Sequence, residues 1–201
     1  MPNLAAPGDL PLPSADFGKT ALSLVVPAKK WFRIHHQSYD AVFFSKAQRS
    51  RWDRNGPYGT MCLGETLAGI VLERFGDHFL AHGRFLTKTE ITEFRVTAIE
   101  LEDPPQVFDI RENQLFHAGV DARLISGRYR VSRAYSRAFM EHPAGAHGLL
   151  YNSRHNTALT NLVLFDRDPS IAWIHKRQSW LLKNHPDFKA VLAELRIAIA
   201  P

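Results

Sequence analysis

The spacing of apolar residues predicts an irregular succession of strands and helices. "KWFRIH" (30–35) and "TMCL" (60–63) read as strands, and "ITEFRVTAIEL" (91–101) alternates as a half-buried strand does. "HGLLYNS" (147–153) and "TNLVLFD" (160–166) supply two more strands. Helical spacing marks "GETLAGIVLERFGDHF" (64–79), with Leu67, Ile70, Val71 and Phe75 along one side and Glu73 beside them. It also marks "RYRVSRAYSRAFMEH" (128–142) and the closing "FKAVLAELRIAIA" (188–200). The first two strands are joined by "AVFFSKAQRSRWDRNGPYG", a long, basic, turn-rich connection. No internal repeat is visible, so the interleaving predicts one α+β domain over 30–201, a mixed sheet with flanking helices. Residues 1–29 are rich in proline and small residues and predict an extended or partly ordered arm.

Composition narrows the class. A 201-residue chain that is 45% hydrophobic and 22% charged can bury a full core, and no apolar run approaches the roughly 18 residues a membrane span needs. Without a secretory leader pattern, and with Cys62 as its single cysteine, the chain reads as a cytoplasmic protein lacking disulfides and thiolate zinc clusters. A net charge of +5 favours anionic partners: nucleic acid, a nucleotide or an acidic protein. Arg128, Arg130, Arg133 and Arg137 alternate with apolar residues at helical spacing, which makes them the wet face of a helix.

Several motifs lead nowhere. "GKT" (18–20) resembles a phosphate-binding loop but lacks its partner glycine and a preceding strand. His78 and His82 share a helix face without the carboxylate or third ligand of a zinc site, so no metal is expected. Ser153 and His155 cannot pair within one strand end, and no nucleophile elbow surrounds the serine. What remains is Glu73 on an apolar helix, Arg33 between Phe32 and Ile34, and Ser153 at the polar end of a strand. A strand-centre arginine that faces inward must find an anion or a carbonyl-rich site.

These residues, in their order and spacing, resemble the RES-domain family, named for arginine, glutamate and serine. The resemblance spans about residues 30–168. It is carried by "FRIH" with Arg33, "SRWD" with Arg51, "ETLAGIVLERF" with Glu73, "GLLYNSRH" with Ser153 and "TNLVLF" with Asn161. Members often carry "GGRW" where this chain has Arg49-Ser50-Arg51-Trp52, and a tyrosine where it has Met61-Cys62-Leu63. The resemblance implies an ADP-ribosyltransferase-like fold and a toxin that destroys NAD+ by hydrolysis or phosphorolysis, held in check by an Xre-family antitoxin. NAD+ is then the substrate and no cofactor is required. It further implies that Glu73 stabilises the cationic ribose, that Arg33 and Arg51 clamp the pyrophosphate, and that Ser153 bonds the substrate or fixes Glu73. Tyr58, Phe44 or Tyr39 would supply the aromatic beside nicotinamide, and Asn161 would join the binding site. Two other readings stand beside this one: an ADP-ribosyltransferase that modifies a macromolecule, and a basic nucleic-acid-binding module.

Overall fold

The computed structural model describes residue 8 and residues 10–48, 50–53, 58–167 and 171–200; parts of the arm and of the basic connection, including Arg49 and Arg54, lie outside this set. In chain order the strands and helices begin with β1 (Leu24–Val25), β2 (Lys30–His36), β3 (Thr60–Gly64) and α1 (Leu67–His82). There follow β4 (Phe85–Leu86), α2 (Lys88–Glu93), β5 (Phe94–Leu101), β6 (Val107–Asp109), α3 (Asn113–His117), α4 (Arg123–Ser126) and α5 (Tyr129–Met140). The chain closes with β7 (Gly148–Asn152), β8 (Thr160–Phe165), β9 (Ile174–Leu181), α6 (Phe188–Leu195) and β10 (Ala198–Ile199).

Eight strands form one sheet in the order β1-β6-β7-β8-β3-β2-β5-β9, antiparallel throughout except for the parallel pair β6–β7. This is the expected mixed sheet with flanking helices. Side-chain alternation sorts its two faces. On β7 and β8, Leu149, Tyr151, Val163 and Phe165 pack with α5, whereas Leu150, Leu162 and Leu164 join Trp31, Met61 and Leu63 in a separate cluster. A third cluster sets α1, α2 and α6 against Ile34 and Val96. In α5, Val131, Tyr135 and Phe139 recur every fourth residue and are buried.

Local chemistry moves several expected boundaries. The strand expected over 91–101 begins only at Phe94, because Thr87 and Glu90 form a capping box that holds 88–93 in a helix. The closing helix stops at Leu195: Arg196 adopts a left-handed conformation, and Ala198–Ile199 pair in parallel with β4 instead. The arginines of α5 are not uniformly wet, since Arg133 donates to the carbonyls of Ser50 and Gln48 and so grips the basic connection. From Leu10 onward the arm is seated on the domain. Leu10 and Phe17 are buried in the α5 cluster, and β1 pairs with β6.

One irregularity positions everything that follows. β2 pairs along its whole length with β5 but shares a single register pair with β3, Phe32↔Gly64. Beyond that point the two strands part, and a cleft opens between them.

Candidate functional site

The cleft has a volume of about 460 Å³, within the range of small-molecule sites. Arg33 and Ile34 line it from β2, Thr60 and Cys62 from β3, and Glu73 and Asp77 from α1. Successive turns of one helix therefore present two carboxylates to it. The Thr66 hydroxyl caps α1 by accepting from the Gly69 N–H, which fixes where the helix begins and so which residues face inward.

Glu73 is clamped. Its Oε1 accepts from the Tyr151 hydroxyl at 2.9 Å and its Oε2 from the Asn161 amide at 2.8 Å. Tyr151 and Asn161 are register partners on β7 and β8, so both donors come from one cross-strand pair. Burial pushes the Glu73 carboxyl up from its ordinary value, opposed by the Tyr151 hydrogen bond and by the charges of Arg51 and Arg154. Any activity that needs ionised Glu73 should therefore fall as pH drops through a value above the usual carboxylate range of about 4.3. Tyr151→Phe removes a bond made to the ionised form, so the acid limb of the pH–kcat profile is expected to move to higher pH. A limb that stays in place would show that the hydroxyl does not tune Glu73.

Segment 50–53 is held by buried polar contacts. Asp53, 3% exposed, accepts from the hydroxyls of Thr60 and Ser45 and from the Ser50 N–H. Trp52 is fully buried against the Tyr151 ring, and its carbonyl accepts from the Ser136 hydroxyl. Between them Arg51 enters the cleft, with Nη1 donating to Gly127 O at 2.7 Å and to Ser132 Oγ at 3.0 Å. Arg33 also borders the cleft, but its Nη1 and Nη2 each donate at 2.7 Å to the carbonyls of Ala41 and Phe43. This is the carbonyl-rich site an inward arginine requires, and burial pulls its pKa down to about 10.

The other expected residues are placed differently. Ser153 is fully buried, donates its N–H to Leu159 O and accepts from the His155 N–H; no hydrogen bond joins it to Glu73. It starts the turn that brings Arg154 and His155 to the cleft wall. Asn161 reaches the site through Glu73. Tyr58 is a core residue, with its ring against Phe165 and its hydroxyl 3.4 Å from Ser136 Oγ, and it does not line the cleft. Of the other two aromatics, Tyr39 and Phe44, neither lines the cleft, and Tyr39 is exposed and stacked on Phe43.

Sequence reasoning missed Tyr151, Arg154, Asp77 and Tyr129. Tyr151 carried a signal, since it lies two residues before Ser153 and strand alternation puts both on one face. His155 rests against α1 at Gly76, where a Cβ would run into its ring. Burial and the charges of Arg154 and Arg51 pull its pKa down to about 4, so it is neutral near pH 7. The His78 and His82 rings lie 5.1 Å apart, and no group of three or more potential metal-ligating side chains occurs among the described residues. No helix among them is long and apolar enough to cross a membrane.

The fold is similar to that of the M. tuberculosis MbcT–MbcA toxin–antitoxin complex. One chain of that structure superposes with a TM-score of 0.66 and 16% identity, covering 83% of this chain and 92% of that one. The class is therefore an α+β domain, a mixed sheet with flanking helices, that shares the fold of that chain. The RES domain model matches residues 30–189, and the chain belongs to that family. No curated protein sequence matches it significantly.

Proposed function

We propose that the chain is the toxin of a toxin–antitoxin pair and destroys NAD+ by breaking the bond between nicotinamide and ribose. The observation that carries the reading is the Glu73 carboxylate, oriented by two donors in a cleft whose walls present guanidinium groups. As the bond breaks, its electron pair passes to the nicotinamide nitrogen, which was already cationic, so no general acid is needed. Positive charge then grows on the ribose, as in glycoside cleavage, and an ionised Glu73 stabilises it. The ribose carbon then bonds to the oxygen of water, which releases a proton to solvent, or to an anionic oxygen of phosphate, which has none to release. The arginine-lined wall suits the negative pyrophosphate. Family membership and the likeness to a toxin–antitoxin structure support the biological role. An Xre-family antitoxin is the partner in this reading, and the net charge of +5 favours an acidic one.

Purified chain, free of antitoxin, should be incubated with NAD+ carrying a label in its ADP-ribose moiety, with and without phosphate, and the products separated. Free nicotinamide is expected, together with ADP-ribose or its phosphorylated form. Intact NAD+ under both conditions would refute the reading, and label attached to a macromolecule would reassign the chain as an ADP-ribosyltransferase.

A further inference from the structure

We propose that Arg154 joins Arg51, to which the family resemblance already gives the pyrophosphate, in a subsite for a diphosphate anion, and that Asp77 is the partner Arg154 gives up when the anion binds. The parts given to Arg154 and Asp77 rest on their own geometry. Naming NAD+ as the source of the diphosphate rests on the function proposed above.

Arg51 is only 6% exposed, yet its Nη2 is buried with no hydrogen-bond partner. Its Nη1 is fully used, and its guanidinium lies 4.7 Å over the Tyr129 ring. A buried donor without an acceptor is costly, and this one belongs to a residue that lines the cleft. An anion entering the cleft would supply the missing acceptor once the guanidinium turned this nitrogen toward it.

Arg154 lines the same cleft and also borders a second cavity of about 550 Å³, which His155, Asn156 and Thr157 line as well. It forms an ion pair with Asp77, whose side chain is 55% exposed. The Tyr129 hydroxyl donates to the other Asp77 oxygen at 2.9 Å. A continuous chain of contacts thus runs from Arg51 over the Tyr129 ring to Asp77 and on to Arg154. Burial, and after it the positive charge of Arg154, pull the Arg51 pKa down. A doubly charged anion between them would relieve that repulsion.

The exchange is favourable because the two competitors are unequal. A pair with a solvated carboxylate contributes little. A diphosphate offers two charges and geometry suited to the arginine fork. Arg33 is a poorer candidate, because its Nη1 and Nη2 already donate to main-chain carbonyls that hold residues 41–43 in place.

The test is calorimetric binding of ADP-ribose, which keeps the diphosphate and has no nicotinamide to lose, beside inorganic pyrophosphate and adenosine. Arg154→Gln is expected to weaken ADP-ribose binding about 10- to 100-fold, the value of a charged hydrogen bond, and to leave adenosine affinity unchanged. Asp77→Asn is expected to tighten ADP-ribose binding several-fold, an advantage that shrinks with added salt. Arg154→Lys keeps a charge for Asp77 but loses the fork, and is expected to bind about tenfold more weakly even if the glutamine variant misfolds. Wild-type affinity in folded arginine variants would overturn the subsite. Asp77→Asn binding as weakly as Arg154→Gln would overturn the exchange, because Asp77 would then be a prop. Pyrophosphate binding that depends on Arg154, without ADP-ribose binding, would uphold the subsite and defeat the NAD+ reading. Binding of neither ligand to the wild type overturns the subsite itself.

Discussion

Glu73→Gln is expected to lower kcat for NAD+ cleavage about 10²- to 10³-fold with little change in KM, the usual cost of removing a preorganised charge from the transition state. The substitution preserves size and keeps an oxygen to accept from Tyr151 or Asn161 while removing the charge, so the fold should survive. Positive charge appears on the ribose only as the bond breaks, which is why the loss falls on kcat. In the proposed reaction Arg51→Ala acts on a part of the substrate that is negative throughout, and it should chiefly raise KM. Circular dichroism and melting establish first that each variant is folded. Near-normal kcat in folded Glu73→Gln would remove its catalytic role. Glu65 is no substitute: it is exposed, precedes α1 and does not line the cleft. Asp77, one turn beyond Glu73 and in the cleft wall, would be the carboxylate to test next.

Gly148→Ala is expected to cost about 3 kcal/mol and to lower the melting midpoint by roughly 6–12 °C, measured by thermal denaturation. The Cβ would collide with the Val163 carbonyl oxygen and lie 3.1 Å from the Leu164 Cα. These are backbone atoms of the neighbouring strand, in the interior of the sheet, and cannot swing aside as a side chain can. Activity should fall as well, since the displaced strands carry both donors to Glu73. An unchanged midpoint would mean that β7 and β8 tolerate a separation their pairing does not suggest.

The sequence was most legible where burial imposes a period. β2, β3, β7, β8, α1 and α5 all lie within one or a few residues of the stretches that predicted them. β9 was missed because its middle residues are exposed at the sheet edge, where "IHKRQSWL" has little apolar alternation to show. In the site, Glu73 was recognisable as a polar residue on an otherwise apolar helix, whereas Arg51, in a polar and basic connection, was reached only through the family resemblance. The surroundings of neither were recognisable. The clamp on Glu73 joins residues 78 and 88 positions apart, and the partners of Arg51 at Gly127 and Ser132 lie 76 and 81 away. Such pairs follow from strand order, which local periodicity does not encode. Tyr58 misled because an aromatic in a polar loop fits a ligand contact as well as it fits the core position it occupies.

Tyr151 and Asn161 meet Glu73 because they are opposite one another on adjacent antiparallel strands. A shift of one residue would turn the displaced strand over and send one donor to the far side of the sheet. The carboxylate clamp is therefore a vernier for β7 against β8. During refolding, far-ultraviolet dichroism would register any sheet, including misaligned ones, whereas turnover per molecule would count only chains whose two strands had locked at the correct step.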